Sequence, residues 1–336
     1  MLYLQIFLLV LGLAFLVKGA DWLVDGSAGI AKKCKVSPLV IGLTIVAFGT
    51  SAPELAVSVT SAINHSTDIS IGNVVGSNIA NILLILGLSA LFHDLPVQKS
   101  SLILDLPALL VASALLIGLG AWQNSLQWWD GLILLAVFAA YMTILLVQAR
   151  KEQKRMLEVD AEKALEEEAE EESAPKGKVG QWFDRMKQKT WFLIALVVVG
   201  LALVVGGGTL LVDAAKYIAT YFGVSERIIG LTVVAVGTSL PELVTSVVAA
   251  IKGETDIAVG NIIGSNIFNI FFVAGVSSLF YPLTFTTANL IDAIVALGAA
   301  ILLYALSLFK GNKLGKVSAV VMLAGFVAYY VYLFLA

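Results

Sequence analysis

Apolar residues come along this chain in runs, one after another, each near the roughly 20 residues that carry a helix across a bilayer. Ten spans follow from the runs: 2–28, 36–62, 69–92, 101–120, 127–149, 191–221, 225–251, 257–281, 288–308 and 316–335. The polar stretch 150–190 divides them five and five, into an N-terminal half (residues 1–149), a charged loop (150–190) and a C-terminal half (191–336). Met1 to Val17 is apolar with no basic flank, so it reads as a first membrane helix rather than a cleaved leader. The expected fold class is an all-α polytopic membrane protein.

The chain also repeats itself. Ile41–Phe92 aligns with Ile229–Phe280 at a constant offset of 188, without gaps and with 31 identities in 52 positions. The offset extends back to Gly19/Gly207 and Asp25/Asp213. Five spans separate equivalent points, an odd number, so the two copies cross the membrane in opposite directions. Inverted repeats are the architecture of many secondary transporters, with the substrate held at mid-membrane where the repeats meet. A duplication is equally compatible with a channel.

Composition strengthens the membrane reading: 59% of the residues are hydrophobic and 13% charged, where soluble domains sit near 25% charged. The charges are also unevenly placed. Eleven of the 24 acids and ten of the 21 bases lie between Arg150 and Lys189, including the run Glu166–Glu172. Placing both termini outside puts 18 of the 21 bases in cytoplasmic loops, so the positive-inside rule predicts that topology, with loop 150–190 in the cytoplasm. The acidic run reads as a solvated linker, for it lacks EF-hand spacing. Trp182, Phe183 and Met186, flanked by Arg185, Lys187 and Lys189, suit a short interfacial helix. One cysteine, Cys34, excludes an internal disulfide. With no organellar presequence, the expected location is a prokaryotic plasma membrane.

Two motifs carry chemistry, each present twice: Gly49-Thr50-Ser51-Ala52-Pro53-Glu54 with Gly237-Thr238-Ser239-Leu240-Pro241-Glu242, and Gly72–Asn81 with Gly260–Asn269. Glu54 and Glu242 lie near the middle of apolar stretches. An ionised side chain there costs at least about 2.5–3.5 kcal/mol and needs a proton, a partner or a cation. The one basic residue in the core of a span, Lys18, cannot serve both, so a cation from solution is the natural partner. Pro53 is expected to free the Gly49 carbonyl and bend its helix near Ala47–Thr50. Ala47, Ser51 and Glu54 share a helix face, as do Asn73, Ser77 and Asn81, and Asn261, Ser265 and Asn269. Neutral oxygens beside two carboxylates suit Ca²⁺ and Na⁺ better than zinc or magnesium. The paired Gly-x-x-x-Gly steps read as close helix packing, Asn78 and Asn266 as bonds between helices, and Asp68 and Asp256 as helix N-caps. Asp25 and Asp213 have no assigned role.

These paired motifs resemble the α-repeats of the calcium/cation antiporter superfamily, specifically its prokaryotic sodium/calcium exchanger branch, over the whole ten-span pattern apart from loop 150–190. The resemblance implies a central Ca²⁺ bridged by Glu54 and Glu242 with the carbonyls of Thr50 and Thr238. It implies one Na⁺ position at the Ala47 carbonyl, Thr50, Ser51, Glu54 and Ser265, and a mate at the Ala235 carbonyl, Thr238, Ser239, Glu242 and Ser77. Asn81 and Asn269 flank the centre, and spans one and six slide across the other eight. Potassium-dependent members carry aspartate where this chain has Asn269, so the site offers two formal negative charges instead of three, which argues against K⁺ co-transport.

The function expected is Na⁺-driven Ca²⁺ antiport by alternating access, with Ca²⁺ and Na⁺ as substrates, the bilayer as surroundings, and neither a cofactor nor a nucleic-acid partner. Proton-coupled Ca²⁺ antiport and a cation channel remain as alternatives. An intramembrane protease is not supported: His-Glu-x-x-His and Gly-x-Gly-Asp motifs are missing.

Overall fold

The structure is a computed structural model that describes residues 2–164, 186, 189–223, 237–309 and 311–335. Long apolar segments in lipid must satisfy their backbone groups internally, and the described chain is helical almost throughout. Its helices are α1 (Leu2–Cys34), α2 (Pro38–Thr50), α3 (Ala52–Ile63), α4 (Thr67–Phe92), α5 (Ser101–Trp122), α6 (Trp128–Ala164), α7 (Thr190–Tyr221), α8 (Leu240–Ile251), α9 (Thr255–Phe280), α10 (Thr287–Leu308) and α11 (Lys316–Leu335). Among the described residues, eight are long and apolar enough to cross a membrane, and α2 with α3, bent by 46°, makes a ninth candidate. The expected span 225–251 is described only over α8, because 224–236 lies outside the described residues. This is an all-helical polytopic membrane fold.

Two expected boundaries move. Helix α6 continues to Ala164, well into the stretch read as loop 150–190, because Arg150–Ala164 holds strong helix formers and neither glycine nor proline. Helix α1 runs past position 28 to Cys34 and stops where Lys35 takes a left-handed φ of 52°. The run Glu166–Glu172 and most of the proposed interfacial helix lie outside the described residues.

The 188-residue repeat is visible element by element. Helices α3 and α8 start and end 188 residues apart, as do α4 and α9. So do the short strands β1 (Leu95–Pro96) and β3 (Leu283–Thr284), and β2 (Ser125–Leu126) and β4 (Lys313–Leu314). The strands pair across the repeat, β1 with β4 and β2 with β3, both antiparallel. A buried pair shows how register is kept. The Tyr141 hydroxyl donates to Asp105 at 2.9 Å and the Tyr329 hydroxyl to Asp292 at 3.0 Å. The tyrosines are 188 apart and the aspartates 187. A π-helical turn, Ser101–Asp105, supplies the extra residue. It sits just before Pro107, which has no N–H to continue the ladder.

Helices α9 and α4 form the centre, with 94% and 78% of their apolar windows buried, against 17% for α1 and 22% for α6 and α11. The outer helices present Phe7, Val10, Ile133, Ile194, Val198 and Val320 outward, as a lipid-facing surface requires. Small residues let helices meet backbone to backbone. A Cβ on Gly260 would lie 2.6 Å from the Leu39 carbonyl oxygen, and one on Gly264 2.7 Å from that of Leu43. The Gly-x-x-x-Gly step of α9 is therefore a packing device, as expected; the 188-shifted counterparts of Leu39 and Leu43 lie outside the described residues. A second seam joins α1 to α7, where Gly12 faces Gly207, Gly19 faces Gly200 and Gly26 faces Leu193.

Gly200→Val should lower thermal stability in detergent by about 1–3 kcal/mol, as expected for forced overpacking: a Cβ there would sit 2.6 Å from the Leu23 backbone nitrogen. Gly206→Ala on the same helix, where a Cβ meets nothing within 4 Å, should be neutral or stabilising.

Candidate cation site

The repeated glutamate motifs sit where helices break. Helix α2 ends at Thr50, Ser51 turns the chain, and α3 begins at Ala52 with Pro53 in its first turn, where proline is tolerated. Glu54 follows in that same first turn, and Glu242 is placed likewise in α8, after Ser239 and Pro241. Each carboxylate thus lies at the positive end of a helix dipole. The Ser51 N–H closes back on the Ala47 carbonyl at 3.0 Å, and Pro53, four residues beyond Gly49, has no N–H to offer the Gly49 carbonyl. Ser51 adopts φ −85°, ψ 9°, a turn conformation that lets the next helix restart at once. Upstream, Gly42–Val46 is π-helical, and so are Ala80–Leu86 and Asn269–Ala274, which hold Asn81 and Asn269. Sequence spacing at 3.6 residues per turn did not reveal these widened turns, which recur at functional sites.

Glu54 and Glu242 are both 0% exposed. Each is bonded by the serine of the other repeat: Ser51 Oγ donates to Glu242 Oε1 at 2.7 Å, and Ser239 Oγ to Glu54 Oε1 at 3.5 Å. The threonines cross in the same way. Thr50 Oγ1 donates to Asn261 Oδ1 at 3.1 Å and Thr238 Oγ1 to Asn73 Oδ1 at 3.4 Å. Asn73 Nδ2 in turn donates to Ser58 Oγ and to the Glu54 carbonyl, and Asn261 Nδ2 to Ser246 Oγ. Ser265 Oγ reaches the Ala47 carbonyl at 3.4 Å. Asn78 bridges α4 and α9 as expected, donating to the Asn266 carbonyl at 3.3 Å and accepting from Asn269 Nδ2 at 3.2 Å.

The structure thus groups Ser51 with Glu242, Ser239 directly and Thr238 through Asn73 with Glu54, and Thr50 and Ser265 with the Ala47 carbonyl, while Asn269 bonds to Asn78. Ser77 and Asn81 are buried on α4, but their side-chain atoms have no hydrogen-bond partner among the described residues. Ala235 lies outside the described residues. Asn73, Asn261, Ser58 and Ser246 hold the threonines and the breaks in place without having been singled out as site residues. The signal was present, since Ser58 and Ser246 stand four residues beyond their glutamates. Asp68 and Asp256 are not caps. They lie inside the first turns of α4 and α9, which Ser66 and Glu254 cap, and they accept from Asn289 and Gln98 instead.

Among the described residues, several buried oxygens have no hydrogen-bond partner: Glu54 Oε2, Glu242 Oε2, Ser77 Oγ, Asn81 Oδ1 and Asn269 Oδ1. Leaving such groups unmatched costs about 1–3 kcal/mol each, more when charged. All are hard oxygen donors, the set that suits Ca²⁺ and Na⁺, and among the described residues no group of three or more His, Cys, Asp or Glu offers a transition-metal alternative. A cavity of about 150 Å³ lined by Asp213, Lys216 and Val212 reaches Thr238, Pro241 and Pro53.

Comparison with known proteins places this arrangement. The family model described as sodium/calcium exchanger protein matches residues 4–147 and 192–335. The chain is 38% identical to the putative antiporter CaxA of Alkalimonas amylolytica and 35% identical to the sodium/calcium exchanger MaX1 of Methanosarcina acetivorans, each over 99% of both chains. The solved structure of the sodium-calcium exchanger NCX_Mj, soaked with Na⁺ and Sr²⁺, superposes with a TM-score of 0.81 at 33% identity, covering 98% of this chain and 99% of that one. The chain belongs to the sodium/calcium exchanger family of membrane antiporters.

Proposed function

We propose that this protein exchanges Na⁺ for Ca²⁺ across the plasma membrane by alternating access, and that Glu54 and Glu242 are the central ligands. The observation that carries the reading is the reciprocal bonding of two fully buried carboxylates by the serines of opposite repeats, with the second oxygen of each left over. Two carboxylates neutralise one Ca²⁺ or two Na⁺, so the two loads compete for the same charge. Thr50, Ser51, Thr238, Ser239, Ser77, Ser265, Asn81, Asn269 and the Ala47 and Ala235 carbonyls complete the oxygen set. Hydroxyls and amides add donors without charge, which suits repeated exchange between a monovalent and a divalent ion.

In this reading the chain holds ten spans as two inverted five-helix repeats, 1–149 and 191–336, with both termini outside and the segment 150–190 in the cytoplasm. The 188-residue correspondence of helices and strands supports the repeat, and the distribution of basic residues supports the orientation. Bond lengths differ between the halves, 2.7 against 3.5 Å at the serines. That difference suits a transporter in which the halves take unequal conformations.

Proteoliposomes loaded with Na⁺ should take up ⁴⁵Ca²⁺, and those loaded with choline at equal pH should not. Equal uptake in both sinks Na⁺ coupling and leaves proton coupling or a channel. Glu54→Gln and Glu242→Gln should each abolish exchange in folded protein; a substantially active Glu54→Gln contradicts the central assignment. Asn261→Ala strips Thr50 and Ser246 of a partner. Its expected cost is about 1–3 kcal/mol of stability, with weakened Ca²⁺ protection against thermal unfolding. Asn269→Asp should alter cation affinity or K⁺ sensitivity more than folding.

A further inference from the structure

The two ends of the α1–α7 pair are not alike. The glycine seam runs antiparallel, setting Gly12 against Gly207 and Gly26 against Leu193. Asp213 therefore lies level with the first turns of α1, and its repeat equivalent Asp25 lies at the opposite end. At 1.5 Å per residue the two carboxylates are roughly 28 Å apart along the axis, near the thickness of a bilayer core.

At the Asp213 end the cavity descends to Thr238, whose side chain is half-buried. At the Asp25 end the equivalents of the cavity residues Gly208, Val212 and Thr238 are Ala20, Val24 and Thr50, and all three are 0% exposed. This closed end carries a charge cluster. Lys252, in the turn after α8, donates to Asp25 Oδ1 at 2.7 Å and to the Asp21 carbonyl at 3.0 Å, and also pairs with the Asp21 carboxylate. Lys18 holds the other Asp21 oxygen at 2.6 Å. Burial opposes the charge of Lys252, but its bonds to Asp21 and Asp25 outweigh that and raise its pKa above the ordinary lysine value. Glu254 stands on the same turn. The far end cannot copy this cluster: 188 residues away, Lys252 corresponds to Asn64 and Asp21 to Thr209.

We propose that Lys252 is the latch of the Asp25 mouth, a tethered ammonium that clamps α1 to the α8–α9 turn and must let go before the central site opens on that side. Its place in a transport cycle rests on the antiport reading; the latch itself rests on the geometry. With Lys252 withdrawn, the carboxylates of Asp21, Asp25 and Glu254 at the mouth lose one shared positive charge, Lys18 staying on Asp21, and raise the local concentration of any cation arriving there. An arriving cation and the ammonium compete for the same oxygens, so arrival favours release. The Asp213 mouth shows no such clamp among the described residues and is the open one in this structure. On the orientation proposed above, the latched mouth faces the cytoplasm.

The test reads exposure directly. Cys34→Ser removes the single native cysteine, and Val24→Cys or Val212→Cys then reports each mouth through its rate of reaction with a small charged thiol reagent. In the Lys252 protein Val24→Cys should react slowly and Val212→Cys readily. Lys252→Gln should speed Val24→Cys about tenfold or more, the effect of shifting the equilibrium by one decade, and slow Val212→Cys; Lys252→Arg should restore the original pattern. Asp21→Asn with Asp25→Asn removes the same clamp from the other side and should act like Lys252→Gln, which covers a poorly folding lysine variant. An unchanged Val24→Cys rate in a folded, latch-free protein overturns the proposal. Failure of Na⁺/Ca²⁺ exchange in wild-type proteoliposomes would instead remove the antiport reading and leave these rates to be judged on their own.

Discussion

Two carboxylates buried in an apolar bundle, with no basic side chain beside them among the described residues, impose the central constraint on this molecule. The ion pairs formed among the described residues involve Lys18, Lys252 and Lys313, none of which reaches Glu54 or Glu242. Their surroundings must therefore be polar without being cationic, and yet be built from membrane helices whose backbone is saturated. The chain resolves this by breaking helices. Each break exposes a helix start to its glutamate and sends the preceding serine and threonine across to the other repeat.

That crossing explains why the site belongs to neither half alone. Ser51 serves Glu242 and Ser239 serves Glu54, while Asn261 holds Thr50 and Asn73 holds Thr238. The close backbone contact of Gly260 and Gly264 with Leu39 and Leu43 brings α9 and α2 near enough for these bonds. The paired strands at the bundle ends tie the halves in the same reciprocal manner. A shared site between two similar bodies is also what alternating access requires, since unequal conformations of equal parts open one mouth at a time.

Departures from symmetry are informative for the same reason. Repeat equivalence predicts a like environment for Asp25 and Asp213, yet one meets Lys252 and the other lines an open cavity. The difference traces to single positions, Lys252 against Asn64 and Asp21 against Thr209. Duplication supplied the common site, and later differences between the copies distinguish the two faces.

Much of this was legible in the residues. Long apolar runs dictated membrane helices, because a helix satisfies its own backbone in lipid and runs near 20 residues are helix-length rather than barrel-strand-length. The 188-residue repeat exposed the duplication, and an acid in the middle of each of two apolar runs pointed to the buried carboxylate pair. Helical spacing placed Asn78 between helices and the α9 glycines in a packing seam, but the Asn266 side chain, expected to do the same as Asn78, donates instead to the Ile262 carbonyl of its own helix at 2.7 Å. Other features belong to tertiary structure alone. The π-helical turns at Ala80–Leu86 and Asn269–Ala274 depend on how neighbouring helices press on the chain, not on local propensity. The exchange of Asp68 and Asp256 from caps to cross-repeat acceptors was likewise invisible in one dimension. So was the partnership of Lys252 with α1, which joins residues 231 and 227 positions apart. The sequence by itself determined which groups would be buried in lipid and so forced to find oxygen or cation partners; only the fold decided which partners they met, because hydrogen bonds and ion pairs act over a few ångströms and the chain carries no local record of what lies across the bundle.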